Sequence, residues 1–252
     1  MANLIEYERV RKIYNSGNDE VIALEEVSFG VAPGEFVTVV GRSGCGKSTL
    51  LKITAGLLPV TGGAVRVAGV PVQAPLTNIG MVFQSPVLLA WRKALDNVLL
   101  QIEARGLNVG AYRKRALELL ELSGLRGFEN KYPNELSGGM QQRVSISRAL
   151  IHDPSLLLMD EPFGALDAIT RDEMNLELLK IWSESKNTVM FITHSIPEAV
   201  FLGDRVVVMT PRPGKVAEIM TIDLPRPRTT ALRDGPKFIG YTRKIRERLG
   251  VQ

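Results

Sequence analysis

Nine consecutive residues, Gly41-Arg42-Ser43-Gly44-Cys45-Gly46-Lys47-Ser48-Thr49, carry the clearest chemistry in this sequence. They fit G-x-x-x-x-G-K-[ST], a loop whose backbone N–H groups cradle nucleotide phosphates. Glycines let the backbone turn those groups inward, and the positive end of a following helix favours the anion. Lys47 would reach the β- and γ-phosphates, and the Ser48 hydroxyl would ligate Mg²⁺. A strand-like run, Glu35–Val40, leads in, and a helix-like run, Ser48–Thr54, leads out. That is the context the motif requires. Cys45, beside Lys47 and near a helix start, is expected to be a reactive thiol that nucleotide protects.

A second stretch, Ser155-Leu156-Leu157-Leu158-Met159-Asp160-Glu161-Pro162, reads as a buried strand ending in two carboxylates. With a phosphate loop in the same chain, Asp160 is expected to hold Mg²⁺ directly or through water. Glu161 would then polarise the attacking water as a general base. Three further positions fall at strand or helix ends. Gln84 closes the run Ile79–Gln84, where a Mg²⁺ or water contact is expected. His194 follows the apolar run Thr188–Thr193 and would point at the γ-phosphate. Ser137-Gly138-Gly139 opens a helix with no acid nearby, which makes it an anion site awaiting a partner, with Ser137 as its cap. Tyr14, just before a turn, is either a packing residue or a platform for a purine base. His152, before Asp153-Pro154, reads as structural.

The elements that must position these groups can be read from periodicity. Leu4–Val10 and Ala23–Val31 alternate like antiparallel strands around the turn Ser16-Gly17-Asn18-Asp19. Ala64–Ala68 reads as another short strand, and Arg205–Thr210 as the last core strand. From Pro86 to Ile151 the pattern is helical, with Ala116, Leu119 and Leu120 on one face of Ala111–Leu122. A further amphipathic helix runs from about Arg171 to Ser185. Pro211, Pro213, Pro225 and Pro227 punctuate a tail ending in a helix over Pro236–Leu249. Its stripe is Phe238, Ile245 and Leu249; Arg243, Lys244 and Glu247 form a solvated face or one drawn to anionic lipid.

Length and composition bound the rest. At 252 residues the chain can hold one core plus a subdomain. Its 45% apolar and 23% charged content is that of a globular protein. No apolar run reaches the roughly 18 residues that span a bilayer. Met1–Glu8 lacks the pattern of a signal peptide. The single cysteine excludes an intrachain disulfide. The net charge of +4 permits an anionic partner without establishing one.

Taken together, these residues resemble the ATP-binding subunit of ATP-binding-cassette (ABC) transporters over nearly the whole chain. Gly41–Thr49 is similar to that family's Walker A, Leu136–Arg143 to its signature and Leu156–Asp160 to its Walker B. Glu161 matches the catalytic glutamate, Gln84 the Q-loop, Ala165-Leu166-Asp167 the D-loop, His194 the switch histidine and Tyr14 the adenine-stacking aromatic. Val82–Arg92, Asp160–Trp182 and Glu198–Val206 resemble the importers of nitrate, sulfonates and taurine. Two positions depart from that pattern: Ala90 stands for the usual Pro, and Ser195 for the usual Asp.

The resemblance implies an α/β, P-loop NTPase fold with a RecA-like core, an antiparallel β subdomain and an inserted helical subdomain. Residues 1–85 would hold the β subdomain and the first part of the core, and 86–151 the helical subdomain. The second part of the core would span 152–222, and the tail 223–252. It implies ATP and Mg²⁺ as ligands and a head-to-tail homodimer when ATP is bound. In that dimer Ser137, Gly138, Gly139 and Asp167 would serve the nucleotide held by the other copy's Lys47. Permease subunits and, indirectly, an extracytoplasmic binding protein are the expected partners, with the chain peripheral on the cytoplasmic face. No nucleic acid is expected. One cassette and no sustained heptads argue against a ribosome- or nucleic-acid-associated ATPase. Ser137-Gly138-Gly139 and the Asp160-Glu161 pair argue against a P-loop kinase, and the importer-like stretches against an exporter.

Overall fold

The alternation and turn chemistry resolve into ten strands and seven α-helices among the described residues. The structure is a computed structural model that describes residues 2–16 and 19–250, with Ser16 described in its backbone only. Gly17 and Asn18 of the expected turn therefore lie outside the described residues. In chain order the elements are β1 (Ile5–Ser16), β2 (Asp19–Val31), β3 (Phe36–Val40), α1 (Lys47–Thr54), β4 (Gly62–Val67), β5 (Val70–Pro71) and β6 (Ile79–Val82). There follow α2 (Ala94–Ala104), α3 (Val109–Leu122), α4 (Gly138–Leu150), β7 (Leu156–Asp160), α5 (Ala168–Ser185) and β8 (Thr188–Thr193). The last are α6 (Ile196–Leu202), β9 (Arg205–Met209), β10 (Val216–Thr221) and α7 (Pro236–Leu249). No helix among them is long and apolar enough to cross a membrane.

The chain divides into two compact units: residues up to Thr77 with those from Lys186 onward, and Asn78–Ser185. In the first, β2, β1, β4 and β5 make an antiparallel sheet in that order. Strands β8 and β9 flank β3 in parallel, and β10 pairs antiparallel with β9. Every residue of β3 and β8 is buried. Central parallel strands are covered on both faces, which is why both read as continuous apolar runs. The Tyr7 hydroxyl pins the antiparallel sheet to this core, 2.6 Å from Thr54 Oγ1 and 3.2 Å from Met190 Sδ. Burial pushes its ionisation far up, so it remains a neutral hydrogen-bonding group.

Arg205–Thr210 is not the last strand. The side chain of Thr210 closes a turn, its hydroxyl donating to Pro213 O at 3.0 Å and accepting from Lys215 N at 3.0 Å. That turn returns the chain as β10, between the prolines read as punctuating a tail. Beyond it, Arg228 donates to the carbonyls of Val200, Phe201 and Gly203, covering the C-terminal end of α6. Phe238, Ile245 and Leu249 of α7 are buried as expected. Lys244, read as part of a face that is solvated or drawn to anionic lipid, reaches Glu218 of β10 instead, as does Arg248.

In the second unit β6 and β7 pair in parallel, Ile79 opposite Leu156. Helices α2, α3 and α4 pack on one another through Val98, Ile102, Ala116, Leu120, Val144 and Ile146, each at most 2% exposed. Asn97 is fully buried in α2. Its Oδ1 accepts from Leu89 N at 2.8 Å, and its Nδ2 donates to Arg92 O at 2.9 Å. A side-chain amide thus holds the bend that contains Ala90, where the resemblance expects a proline. His152 is structural as read, its ring 3.2 Å from Ile79 O.

Candidate functional site

In the first unit the loop Gly41–Thr49 turns from the end of β3 into α1, and two of its glycines have left-handed φ: Gly44 at 77° and Gly46 at 101°. A Cβ at Gly46 would sit 2.7 Å from Ala23 O and 2.7 Å from Leu24 Cδ2, so only glycine lets the loop lie on β2. Helix α1 starts with no side-chain cap and no acid in its first turn. Such a start, with the positive end of the helix dipole and no acid beside it, favours an anion. Lys47 is 4% exposed, with Nζ donating to Gly41 O at 2.9 Å and Arg42 O at 3.3 Å. The ammonium is parked on the loop's own carbonyls. Ser43 is exposed, and Ser48 and Thr49 are half-buried. Arg42 donates to Gly250 O at 2.9 Å, tying the loop to the end of α7. The expected reactivity of Cys45 meets a contrary finding: the thiol is 1% exposed. It faces Gly41, where a Cβ would lie 2.7 Å from its Sγ.

Tyr14 projects from β1 with its hydroxyl 3.2 Å from Thr49 Oγ1. Lys12 Nζ lies 5.3 Å from the ring centroid, and the residue remains 37% exposed. Packing on one side and exposure for a base are both present. His194 is exposed at the end of β8. Next to it, Ser195 Oγ accepts from Glu198 N at 3.4 Å and caps α6. Serine caps as well as aspartate, so this departure preserves the helix start. Thr193 Oγ1 meanwhile bonds the buried carboxylate of Glu198.

In the second unit the four residues Leu156–Met159 are buried, and Asp160 and Glu161, at the end of β7, are half-buried. Glu161 has φ of 46°. A residue with a side chain pays strain to be left-handed, and such strain persists where the surroundings over-determine it. The turn closes through Gly164 N to Glu161 O at 3.0 Å, anchored by Phe163 at 1% exposure. Gln84 is exposed just past β6 and comes to this turn: a Cβ on Gly164 would lie 3.3 Å from its Nε2.

Helix α4 holds the segment around Gln84 from both sides. Gln142 Nε2 donates to Phe83 O at 3.1 Å, while Arg148 donates to Pro86 O and Val87 O, each at 2.8 Å. Sequence reasoning assigned neither residue. Arg148 carried a usable signal, since it continues the buried stripe of Val144 and Ile151, where a solvated arginine does not belong. Ser137 Oγ accepts from Met140 N at 3.3 Å and caps α4. Gly138 faces open space, whereas a Cβ on Gly139 would lie 2.9 Å from Thr170 Cγ2. Asp167 accepts from Ile169 N, Thr170 N and Thr170 Oγ1 at 3.1, 3.0 and 2.7 Å. These bonds, the Thr170 N–H first, hold its carboxyl below the usual range.

Tyr14, Gly41, Ser43–Thr49 and His194 thus share the first unit, and Gln84, Ser137–Gly139, Asp160, Glu161 and Asp167 the second. The donors expected to hold metal, Ser48, Gln84 and Asp160, offer only hydroxyl, carbonyl and carboxylate oxygen. Among the described residues no group of three His, Cys, Asp or Glu could hold an ion alone. Oxygens of these kinds are hard donors, the type that Mg²⁺ takes.

A family profile described as ABC transporter matches residues 24–164. The taurine import ATP-binding protein TauB of Rhizobium johnstonii is 50% identical over 82% of this chain and 79% of its own. The nitrate import ATP-binding protein NrtD of Synechococcus elongatus is 43% identical over 94% of this chain and 88% of its own. Among solved structures, a dimeric bacterial ABC transporter cassette superposes with a TM-score of 0.77 at 36% identity. That alignment covers 87% of this chain and 99% of the cassette.

Proposed function

The chain belongs to the ABC transporter family as one of its ATP-binding ATPases, and from that premise we propose that it powers an importer of a small nutrient. The substrate class is that of the nitrate, sulfonate and taurine group, by likeness to the relatives named for taurine and nitrate import. The observation that carries the chemistry is the uncapped, acid-free start of α1 beneath a loop with Lys47 parked on its carbonyls. An arriving triphosphate offers Lys47 a stronger partner than two backbone carbonyls, and its charge suits the positive end of the α1 dipole.

Lys47 binds the β- and γ-phosphates, with Gly41, Ser43, Gly44, Cys45, Gly46, Ser48 and Thr49 supplying the loop. Tyr14 offers its exposed ring face to the base. Glu161 takes the proton of the attacking water, and His194 orients the γ-phosphate. Ser48, Gln84 and Asp160 hold Mg²⁺, which when bound neutralises charge across the phosphates. Two copies pair head to tail, so that Ser137, Gly138, Gly139 and Asp167 of one serve the nucleotide of the other. Loss of the γ-phosphate then removes contacts from both copies at once. Residues 86–151 form the helical subdomain that passes the movement through Gln84 to a permease, with an extracytoplasmic binding protein beyond it. The chain sits on the cytoplasmic face of the membrane, and no nucleic acid takes part.

The test is a mild-detergent pull-down of the tagged chain from its own membranes, with partners identified by mass spectrometry. Recovery of a multispanning permease supports import. Recovery of ribosomes or nucleic acid, or of no partner, overturns transport and leaves the ATPase chemistry standing.

A further inference from the structure

We propose that Thr170 is a positioning residue that locks the start of the signature helix α4 to Asp167 through a single side-chain torsion. This rests on the reading above, in which Ser137–Gly139 and Asp167 both act on the nucleotide of a partner copy. The hydroxyl and the methyl of a threonine leave the same Cβ, so one χ1 angle fixes both. In Thr170 the hydroxyl donates to Asp167 Oδ2 at 2.7 Å. The backbone N–H of the same residue donates to Asp167 Oδ1 at 3.0 Å. With Oγ1 held there, Cγ2 is aimed at Gly139, where even one added carbon would come to 2.9 Å.

Gly139 is therefore a glycine because of Thr170, whereas Gly138 meets nothing within 4 Å and is free to approach a ligand. The Cα side of Gly139 seats the helix start against α5, and both glycines keep the phosphate role proposed above. Arg171 steadies the same loop from behind, donating to Leu166 O at 2.8 Å and Phe163 O at 3.2 Å. A shift of Asp167 frees the Thr170 torsion and with it the seat of Gly139, so the two motifs move together.

Thr170→Val keeps the methyl and deletes the hydroxyl; Thr170→Ser does the reverse. Both are made in the full chain carrying Glu161→Gln, and ATP-driven dimer formation is followed by analytical ultracentrifugation. Thr170→Val is expected to need about tenfold more ATP for half-maximal dimer, the scale of one lost charge-assisted hydrogen bond, and Thr170→Ser about fourfold more, the scale of one lost methyl contact. Affinity of the monomer for a fluorescent ATP analogue should stay within about twofold, because the phosphate loop is untouched. A purely capping role leaves Thr170→Ser like the parent, and a purely packing role leaves Thr170→Val like the parent. Either outcome overturns the coupling. Moving the methyl across the contact, in Thr170→Ser with Gly139→Ala, should dimerise better than Gly139→Ala alone, and failure to do so also overturns it. A parent that stays monomeric with ATP removes the head-to-tail reading itself. A parent that dimerises while both Thr170 variants match it removes this proposal alone.

Discussion

Replacing Gly46 by alanine tests whether the phosphate loop is shaped by its backbone or only by its charges. At φ of 101° an alanine is outside the left-handed basin that side chains tolerate, which costs about 1–3 kcal/mol. The new methyl also meets Ala23 O and Leu24 Cδ2 at 2.7 Å, and one of these is backbone that cannot rotate aside. Overpacking of this kind costs about 1–3 kcal/mol more. The sum, about 2–6 kcal/mol, corresponds to a drop in Tm of about 4–24 °C at 2–4 °C per kcal/mol for a chain of this size. Gly44→Ala is the control, because φ is 77° but the nearest atom is the flexible Arg212 Nη2 at 3.7 Å. It should show the strain alone, about 1 kcal/mol. Differential scanning calorimetry of both variants, with ATP affinity by isothermal titration, reads the difference. A Gly46→Ala protein that melts with Gly44→Ala and binds ATP normally would refute the close-approach argument.

Glu161→Gln should retain ATP binding and lose at least about a hundredfold in hydrolysis, the scale of a general base. Phosphate release near the wild-type rate would remove Glu161 from that role. Cys45 should label slowly with a small maleimide whether or not ATP is present, because the thiol is 1% exposed; rapid labelling of the empty protein would contradict its burial. Asp167 has its pKa depressed by its bonds to Thr170 and Ile169, so its stabilisation is complete above the unfolded value of about 3.9 and fades as pH falls through the folded one. Urea unfolding should therefore separate wild type from Asp167→Asn at pH 7 and bring them together towards pH 3. A gap that stays constant on acidification would sink that linkage.

Much of the fold was legible because its signals are local. Strands β3 and β8, buried on both faces, announce themselves as nearly continuous apolar runs, and α7 shows its stripe within its own residues. The edges of β1 and β2 were not legible. Both strands extend well beyond the alternating cores, to Ile5–Ser16 and Asp19–Val31. Register shifts around Val10 and left-handed residues at Arg9 and Glu26 break the two-residue period there. Strand β10 was hidden by prolines whose turn is closed by the Thr210 side chain, a partner six letters cannot reveal.

The candidate site divides the same way. Loop glycines, Lys47, Asp160 and Glu161 are recognisable because their chemistry demands those types at that spacing. Gln142, Arg148 and Thr170 act through carbonyls or methyls distant in sequence, as in the 62 positions between Arg148 and Pro86. Cys45 was misread because proximity to a helix start says nothing of which way its sulfur turns.

The left-handed backbone at Glu161 has a bearing on how this protein can be engineered. By backbone preference alone Gly or Asn suits such a position better, with a gain of about 1–2 kcal/mol. Optimisation scored by melting temperature alone would select that exchange early, and with it, on the role proposed for Glu161, would discard the general base. Under that proposal heat resistance and turnover compete at one backbone angle, so a screen for durable variants has to hold residue 161 fixed or measure phosphate release alongside survival.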